Sequence, residues 1–141
     1  MPLPSVLIVE DDAAIRKLLE AALTREPLQV ECASDGAEAL EKLAQKNYAL
    51  LLLDLMLPRV SGLEVLERLS MRAAPRPMVF VITAYDEAMI RKLDVRIVHG
   101  ILRKPFDLTR LVELVRECAL HWQAATSPDL APHDPGPQLT C

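Results

Sequence analysis

The sequence predicts an α/β domain, a doubly wound parallel sheet of five strands with five helices. Three observations carry this. Short aliphatic runs recur (Val6–Val9, Ala49–Leu53, Met78–Ile82), of the kind found in strands buried on both faces. Between the strand segments lie stretches with apolar residues at i, i+3, i+4 spacing, the mark of amphipathic helices. The two types alternate, strand then helix, five times, which calls for right-handed crossovers and a sheet covered on both faces. A chain of 141 residues holds one domain of ordinary size, and 51% apolar against 4% aromatic residues predicts an aliphatic core.

Each element has its own warrant. Val6–Val9 is the first strand, and Ile15, Leu18, Leu19, Ala22 and Leu23 form the inward stripe of the first helix, closely followed by Pro27. Leu28 to Ala33 reads as a second, weaker strand. Asp35, with Glu38 three positions later, opens a second helix with Leu40, Leu43 and Ala44 on one face. Ala49 to Leu53 is the third strand, ending at Asp54. Ser61-Gly62-Leu63-Glu64 is a capping box that starts a third helix with Val65, Leu66 and Leu69 inward. Met78 to Ile82 is the fourth strand, ending at Thr83, and a helix is expected from about Asp86 to Leu93. Ile97 to Leu102 is the fifth strand, ending at Lys104-Pro105. Asp107 caps a last helix on which Leu108, Leu111, Val112, Val115, Ala119 and Trp122 recur at helical spacing. The domain is expected over residues 5–125. From Thr126 to Cys141 four of sixteen residues are proline without apolar periodicity, which reads as a flexible tail.

Composition excludes several functions. Sixteen basic against twenty acidic residues give a net charge of −4, without the broad basic face that phosphate-backbone binding needs, so no direct nucleic-acid partner is expected. Cys32, Cys118 and Cys141 have neither CxxC nor ligand spacing with histidine, which argues against disulfides and zinc. His99, His121 and His133 match no metal spacing and read as bystanders. The opening Met1-Pro2-Leu3-Pro4 lacks a basic region ahead of an apolar stretch, and the most apolar segment, Tyr48 to Leu57, is too short to span a bilayer and carries Asp54. A cytoplasmic protein with no membrane partner is expected.

In an open parallel sheet, ligands bind outside the carboxyl ends of the strands. Here those ends carry Glu10, Asp11 and Asp12 after the first strand, Asp54 after the third, Thr83 after the fourth and Lys104 after the fifth. Carboxylates about 4 Å apart repel by roughly 4 kcal/mol at an effective dielectric near 20. Glu10, Asp11 and Asp54 set against Lys104 leave two uncompensated negative charges, which a hard divalent cation resolves; few protein ligands favour Mg²⁺, which keeps its waters. A protonated carboxyl with a raised pKa is the alternative. An ionised aspartate beside such a cation, an ammonium and a hydroxyl is equipped to take a phosphoryl group.

These residues resemble the receiver domain of two-component response regulators, of the chemotaxis-regulator-like single-domain type. The resemblance runs from about Ser5 to Ala125. It rests on V-E-D-D at Val9–Asp12, D-L-M-L-P at Asp54–Pro58, G-L-E-V at Gly62–Val65, I-T-A at Ile82–Ala84 and K-P-F at Lys104–Phe106, with gaps of 43, 29 and 21 residues from Asp11 through Asp54 and Thr83 to Lys104. It implies the strand order 2-1-3-4-5 of the flavodoxin-like fold. It implies Asp54 as phospho-acceptor, supplied by a sensor histidine kinase or phosphotransfer protein, with Mg²⁺ held by Asp11, Asp54 and the backbone carbonyl of Met56, and by Glu10 through water. Asp12, one position past the acidic pair, is not implied as a ligand. Thr83 would move toward the phosphoryl group, Lys104 would pair with it, and the Lys104–Pro105 bond would be cis. The chain departs from the pattern at Ile101, where the family often carries Phe or Tyr as an aromatic switch, and in the stretch Asp94–Gly100, which lacks the usual small, glycine-containing turn.

The expected function is thus a phosphorylation-activated switch, a phospho-acceptor that promotes its own phosphorylation and dephosphorylation rather than a turnover enzyme. Met56 and Tyr85 flank the site as candidate shields of the acyl phosphate. Alternatives are a phosphorylation-independent interaction module, or the regulatory half of a longer response regulator. A phosphohydrolase would want an aspartate where Met56 stands, and a flavin site would want a Gly/Ser/Thr-rich loop in place of Glu10-Asp11-Asp12. A downstream effector protein and homodimerisation on phosphorylation are both compatible with this reading.

Overall fold

Five strands form one parallel sheet in the order β2-β1-β3-β4-β5, as the resemblance implied. The strands are β1 (Ser5–Val9), β2 (Gln29–Ala33), β3 (Leu50–Asp54), β4 (Met78–Thr83) and β5 (Val98–Arg103); the helices are α1 (Ala13–Leu23), α2 (Gly36–Gln45), α3 (Gly62–Ser70), α4 (Glu87–Arg91) and α5 (Leu108–Thr126). The structure is a computed structural model that describes residues 3–73, 75–84 and 87–126, the side chains of 124–126 excepted. The tail expected from Thr126 onward, with His133 and Cys141, and also Tyr85 and Asp86, lie outside the described residues or, for Thr126, at their end.

Side chains alternate across each strand, and the alternation sorts the core into two layers. Leu7, Val9, Leu51, Leu53, Val79 and Val81 pack with Ala39 and Leu43 of α2 and Val65, Leu66 and Leu69 of α3. Val6, Ile8, Leu50, Leu52, Phe80 and Ile82 face the other way, onto Leu19 and Leu23 of α1 and Leu111 and Val115 of α5. The central strands β1 and β3 are buried throughout, which is why they read as unbroken aliphatic runs.

Most helix starts follow the capping residues. Asp12 Oδ1 accepts from the amides of Ala14 and Ile15 at 2.9 and 3.2 Å, Asp35 from Glu38 at 2.8 Å, Ser61 from Glu64 at 3.2 Å and Asp107 from Thr109 at 2.9 Å. Glu38 reaches one residue further back than a capping box requires, accepting from the amide of Ser34 at 2.8 Å. Gly62 lets α3 begin directly beneath the end of β3, since a Cβ there would stand 2.5 Å from the Asp54 carbonyl oxygen.

Four expectations are corrected. Leu18 is 50% exposed, because it lies about 100° around the helix from Leu19 and so beyond the edge of the buried stripe. Helix α4 ends at Arg91 rather than Leu93; the amides of Lys92 and Leu93 turn back three residues, to Met89 and Ile90, and close the helix early. Strand β5 begins at Val98 rather than Ile97 and, as the sheet edge, alternates half-buried and exposed residues. His99 is no bystander: its Nδ1 accepts a hydrogen bond from the Val79 amide at 3.1 Å, beside a register shift between β4 and β5.

Candidate functional site

Parallel register brings the ends of four strands to one edge of the sheet. Val9 lies opposite Leu53, Asp54 opposite Ile82, and Thr83 opposite Arg103, so Glu10, Asp54, Thr83 and Lys104 emerge side by side. The topology reverses here, β1 and β3 being neighbours while the chain moves outward in both directions. Backbone bonds tie the loops down: Glu10 donates to the Ala33 carbonyl at 3.1 Å, and Lys104 to the Thr83 carbonyl at 2.8 Å.

Glu10 and Asp54 are 1% and 2% exposed. Lys104 Nζ stands 2.9 Å from Glu10 Oε1 and 3.0 Å from Asp54 Oδ2. The second oxygen of Asp54 accepts from the Met56 amide at 3.0 Å, and the second oxygen of Glu10 from the Asp12 amide at 3.1 Å. Asp11 is exposed at the mouth. Burial above all pushes the Glu10 carboxyl up to about 7, the Lys104 ammonium opposing and the nearby Asp54 adding to the rise. Burial alone would lower Lys104; the two carboxylates outweigh it and hold the ammonium above its ordinary value.

The donor set fits a hard divalent cation. One carboxylate oxygen each from Glu10, Asp11 and Asp54 lies within 4.8 Å of the others. Glu10 Oε1 is buried and, although close to Lys104, accepts no well-directed hydrogen bond among the described residues. Three carboxylates and a single ammonium leave a negative balance that oxygen-ligated Mg²⁺ matches better than a softer metal.

The sequence-predicted residues fare as follows. Glu10, Asp11, Asp54 and Lys104 come together. Thr83 is fully buried at the end of β4, its hydroxyl donating to the Ala84 carbonyl at 2.9 Å. Met56 meets Asp54 through its amide and exposes its side chain. The peptide between Lys104 and Pro105 is cis. Ile101 is 40% exposed on the edge strand, opposite Val81 rather than Thr83. Tyr85 lies outside the described residues. Asp12 is engaged in capping α1. One participant escaped the sequence reading: Arg16, whose Nη1 donates to the Glu10 carbonyl at 2.9 Å. Its only signal is an arginine one turn into the first helix, where long side chains lean back toward the N-terminus.

Comparison with known proteins agrees with this geometry. The family model of the response regulator receiver domain matches residues 6–116. The chain is 36% identical over 132 residues to the response regulator MprA of Mycobacterium sp. (strain KMS), covering 92% of this chain and 55% of that protein. It is 34% identical over 135 residues to the transcriptional regulatory protein SrrA of Staphylococcus aureus (strain NCTC 8325 / PS 47), covering 91% and 53%. The chain thus spans about half the length of these curated relatives. The crystal structure of the N-terminal domain of an uncharacterized Wolinella succinogenes protein superposes with a TM-score of 0.78 at 30% identity, covering 88% of this chain and 99% of that one. With the acidic rim, the opposed lysine and the 2-1-3-4-5 sheet in place, the chain belongs to the response regulator receiver domains, the phospho-acceptor switches of two-component signalling.

Proposed function

We propose that Asp54 accepts a phosphoryl group from a histidine kinase or phosphotransfer protein, and that Asp11, Asp54 and the Met56 carbonyl hold Mg²⁺ for this step, with Glu10 acting through water. The observation that carries this reading is the meeting of Glu10, Asp11, Asp54 and Lys104 at one edge of the sheet. A bound Mg²⁺ supplies positive charge to the transferring phosphoryl oxygens. The protein's own groups do the rest. An Asp54 carboxylate oxygen attacks phosphorus, the bond from phosphorus to the donor nitrogen breaks, and its electron pair leaves with the donor imidazole. No base is needed, since the carboxylate carries no proton. The Lys104 ammonium, already on Asp54 Oδ2, turns to the arriving phosphoryl oxygens. Thr83 gives up its bond to the Ala84 carbonyl and donates its hydroxyl to the same group. Burial of Asp54 limits water, so the acyl phosphate persists as a signal.

The receiver unit covers residues 5–125. Coverage of only about half of these two relatives, one named a response regulator and the other a transcriptional regulatory protein, supports a second reading in which this unit is the regulatory half of a longer response regulator. Its setting in either case is the cytoplasm, where kinase and donor reside. The test is incubation with acetyl phosphate and Mg²⁺ followed by intact mass measurement. One added phosphoryl group per chain is expected, absent from Asp54→Ala and absent with EDTA. An unmodified wild-type protein, or continuous release of many phosphates per chain, overturns the reading.

A further inference from the structure

Asp11 is the exposed member of the acidic trio, and among the described residues none donates a hydrogen bond to its carboxylate. Its place is therefore set by its backbone. Glu10 is fixed differently, by its own buried side chain and by the Asp12 amide. The peptide joining Glu10 to Asp11 falls between the end of β1 and the first hydrogen bond of α1, which runs from the Arg16 amide to the Asp12 carbonyl at 2.9 Å. Neither the Glu10 nor the Asp11 carbonyl is thus used by the helix ladder.

Arg16 meets both of them. Its Nη1 is 2.9 Å from the Glu10 carbonyl oxygen and 3.5 Å from that of Asp11. Its charge also reaches Cys32 on β2, the strand on the opposite side of β1 from β3. A guanidinium suits this task, being always charged and planar, with several donors held in a fixed fork.

We propose that Arg16 is a positioning residue for the cation site: by clamping the two carbonyls it fixes the peptide on which Asp11 stands, and so holds the Asp11 carboxylate where it faces Glu10 and Asp54. The inference rests on the cation site proposed above and adds a residue that touches neither ion nor phosphoryl group. Partners of this kind, one bond removed from the ligands, typically change metal affinity about 10-fold or more when removed.

The experiment is a calorimetric titration of the whole chain with MgCl₂ for wild type, Arg16→Gln and Arg16→Lys, together with initial rates of phosphorylation by acetyl phosphate at increasing Mg²⁺. The dissociation constant for Mg²⁺ is expected to rise about 10-fold in Arg16→Gln. Arg16→Lys, which keeps one charged donor, is expected to recover part of the loss. At saturating Mg²⁺ the variant's maximal rate is expected to return to the wild-type value, a split that a general loss of packing does not produce. Equal Mg²⁺ affinity in Arg16→Gln and wild type overturns the role of Arg16 while leaving the cation site standing. A wild-type protein that takes up no Mg²⁺ overturns the site itself, and the role of Arg16 with it.

Discussion

Lys104 and Asp54, fifty residues apart in the chain, meet through an ammonium to carboxylate contact of 3.0 Å at the mouth of the sheet. The same ammonium lies 2.9 Å from Glu10. One cation therefore serves two carboxylates that are almost wholly removed from water. Lys104→Met keeps the stem of the side chain and deletes its charge, leaving both acids without their counter-ion. Removing one partner of a buried pair costs about 3–5 kcal/mol. Lys104 is still partly exposed, so about 2 kcal/mol is expected here, read as a lower midpoint of urea unfolding without divalent cation. The loss should shrink when Mg²⁺ is added, because the ion restores positive charge beside the same carboxylates. A variant as stable as the wild type in metal-free buffer would show that the pair contributes nothing to the fold.

Metal removal gives the complementary prediction. A ligand that binds only the folded chain stabilises it by about 2.7 kcal/mol at one hundred times its dissociation constant. Raising Mg²⁺ to that level should lift the thermal midpoint, and EDTA should reverse the shift. Asp11→Ala should abolish most of it, having lost one of three clustered oxygen donors. Calorimetric scans of both proteins across a Mg²⁺ series measure this. A shift of equal size in Asp11→Ala would place the ion elsewhere.

Strands buried on both faces, such as β1 and β3, were legible because each position must be apolar. Edge positions follow a weaker rule: β5 has one side open, so its alternation of half-buried and exposed residues is disguised by Val98, Ile101 and Leu102, all apolar in sequence. Glu10, Asp54 and Lys104 were legible because charged residues at strand ends have few structural reasons to be there. Arg16 and His99 were not. Each acts on backbone, through two carbonyls in one case and an amide in the other, and no spacing of side-chain types records such a partner. The strand order itself came from resemblance, since alternation of strand and helix is compatible with several orders.

Gly62 supplies a test of how tightly α3 is pressed against the site. An alanine Cβ would sit 2.5 Å from the Asp54 carbonyl oxygen and equally close to the Leu55 Cα, both backbone atoms that cannot swing aside. The Gly62 amide also donates to the Leu55 carbonyl at 3.1 Å, so the helix cannot retreat without losing that bond. Gly62→Ala is expected to destabilise the chain by about 1–3 kcal/mol, the usual cost of overpacking. Because the strain falls on the peptide that carries Asp54, phosphorylation by acetyl phosphate should slow in step. Urea unfolding and initial rates measure the two effects; an unchanged unfolding midpoint would show that the loop yields freely.

His99 makes the lower end of the sheet sensitive to pH. Its Nδ1 accepts from the Val79 amide, so the ring must be neutral at that nitrogen, and protonation there removes the acceptor. Burial of the ring against β4 pushes the imidazole below its ordinary value of 6.5. Arg76 and Arg96 line the same cleft, Asp94 is paired to Arg96 through contacts of 3.1 Å, and a hydrogen bond with the Ile97 backbone opposes the lowering in part. With the folded-state value lowered, the unfolded chain binds the proton more readily, and stability rises with pH through that window. The contribution is complete above about 6.5 and is lost as pH falls below that value and through the lowered one. Glu10, pushed up to about 7, slopes the other way over the neighbouring range, so the wild-type curve alone does not isolate the histidine. The difference between wild type and His99→Gln does, because glutamine offers an oxygen to the Val79 amide and takes up no proton. Urea midpoints at pH 5, 6 and 7.5 should show the wild type losing stability relative to His99→Gln as the solution is acidified, and parallel curves would mean that the imidazole does not titrate differently in the folded chain.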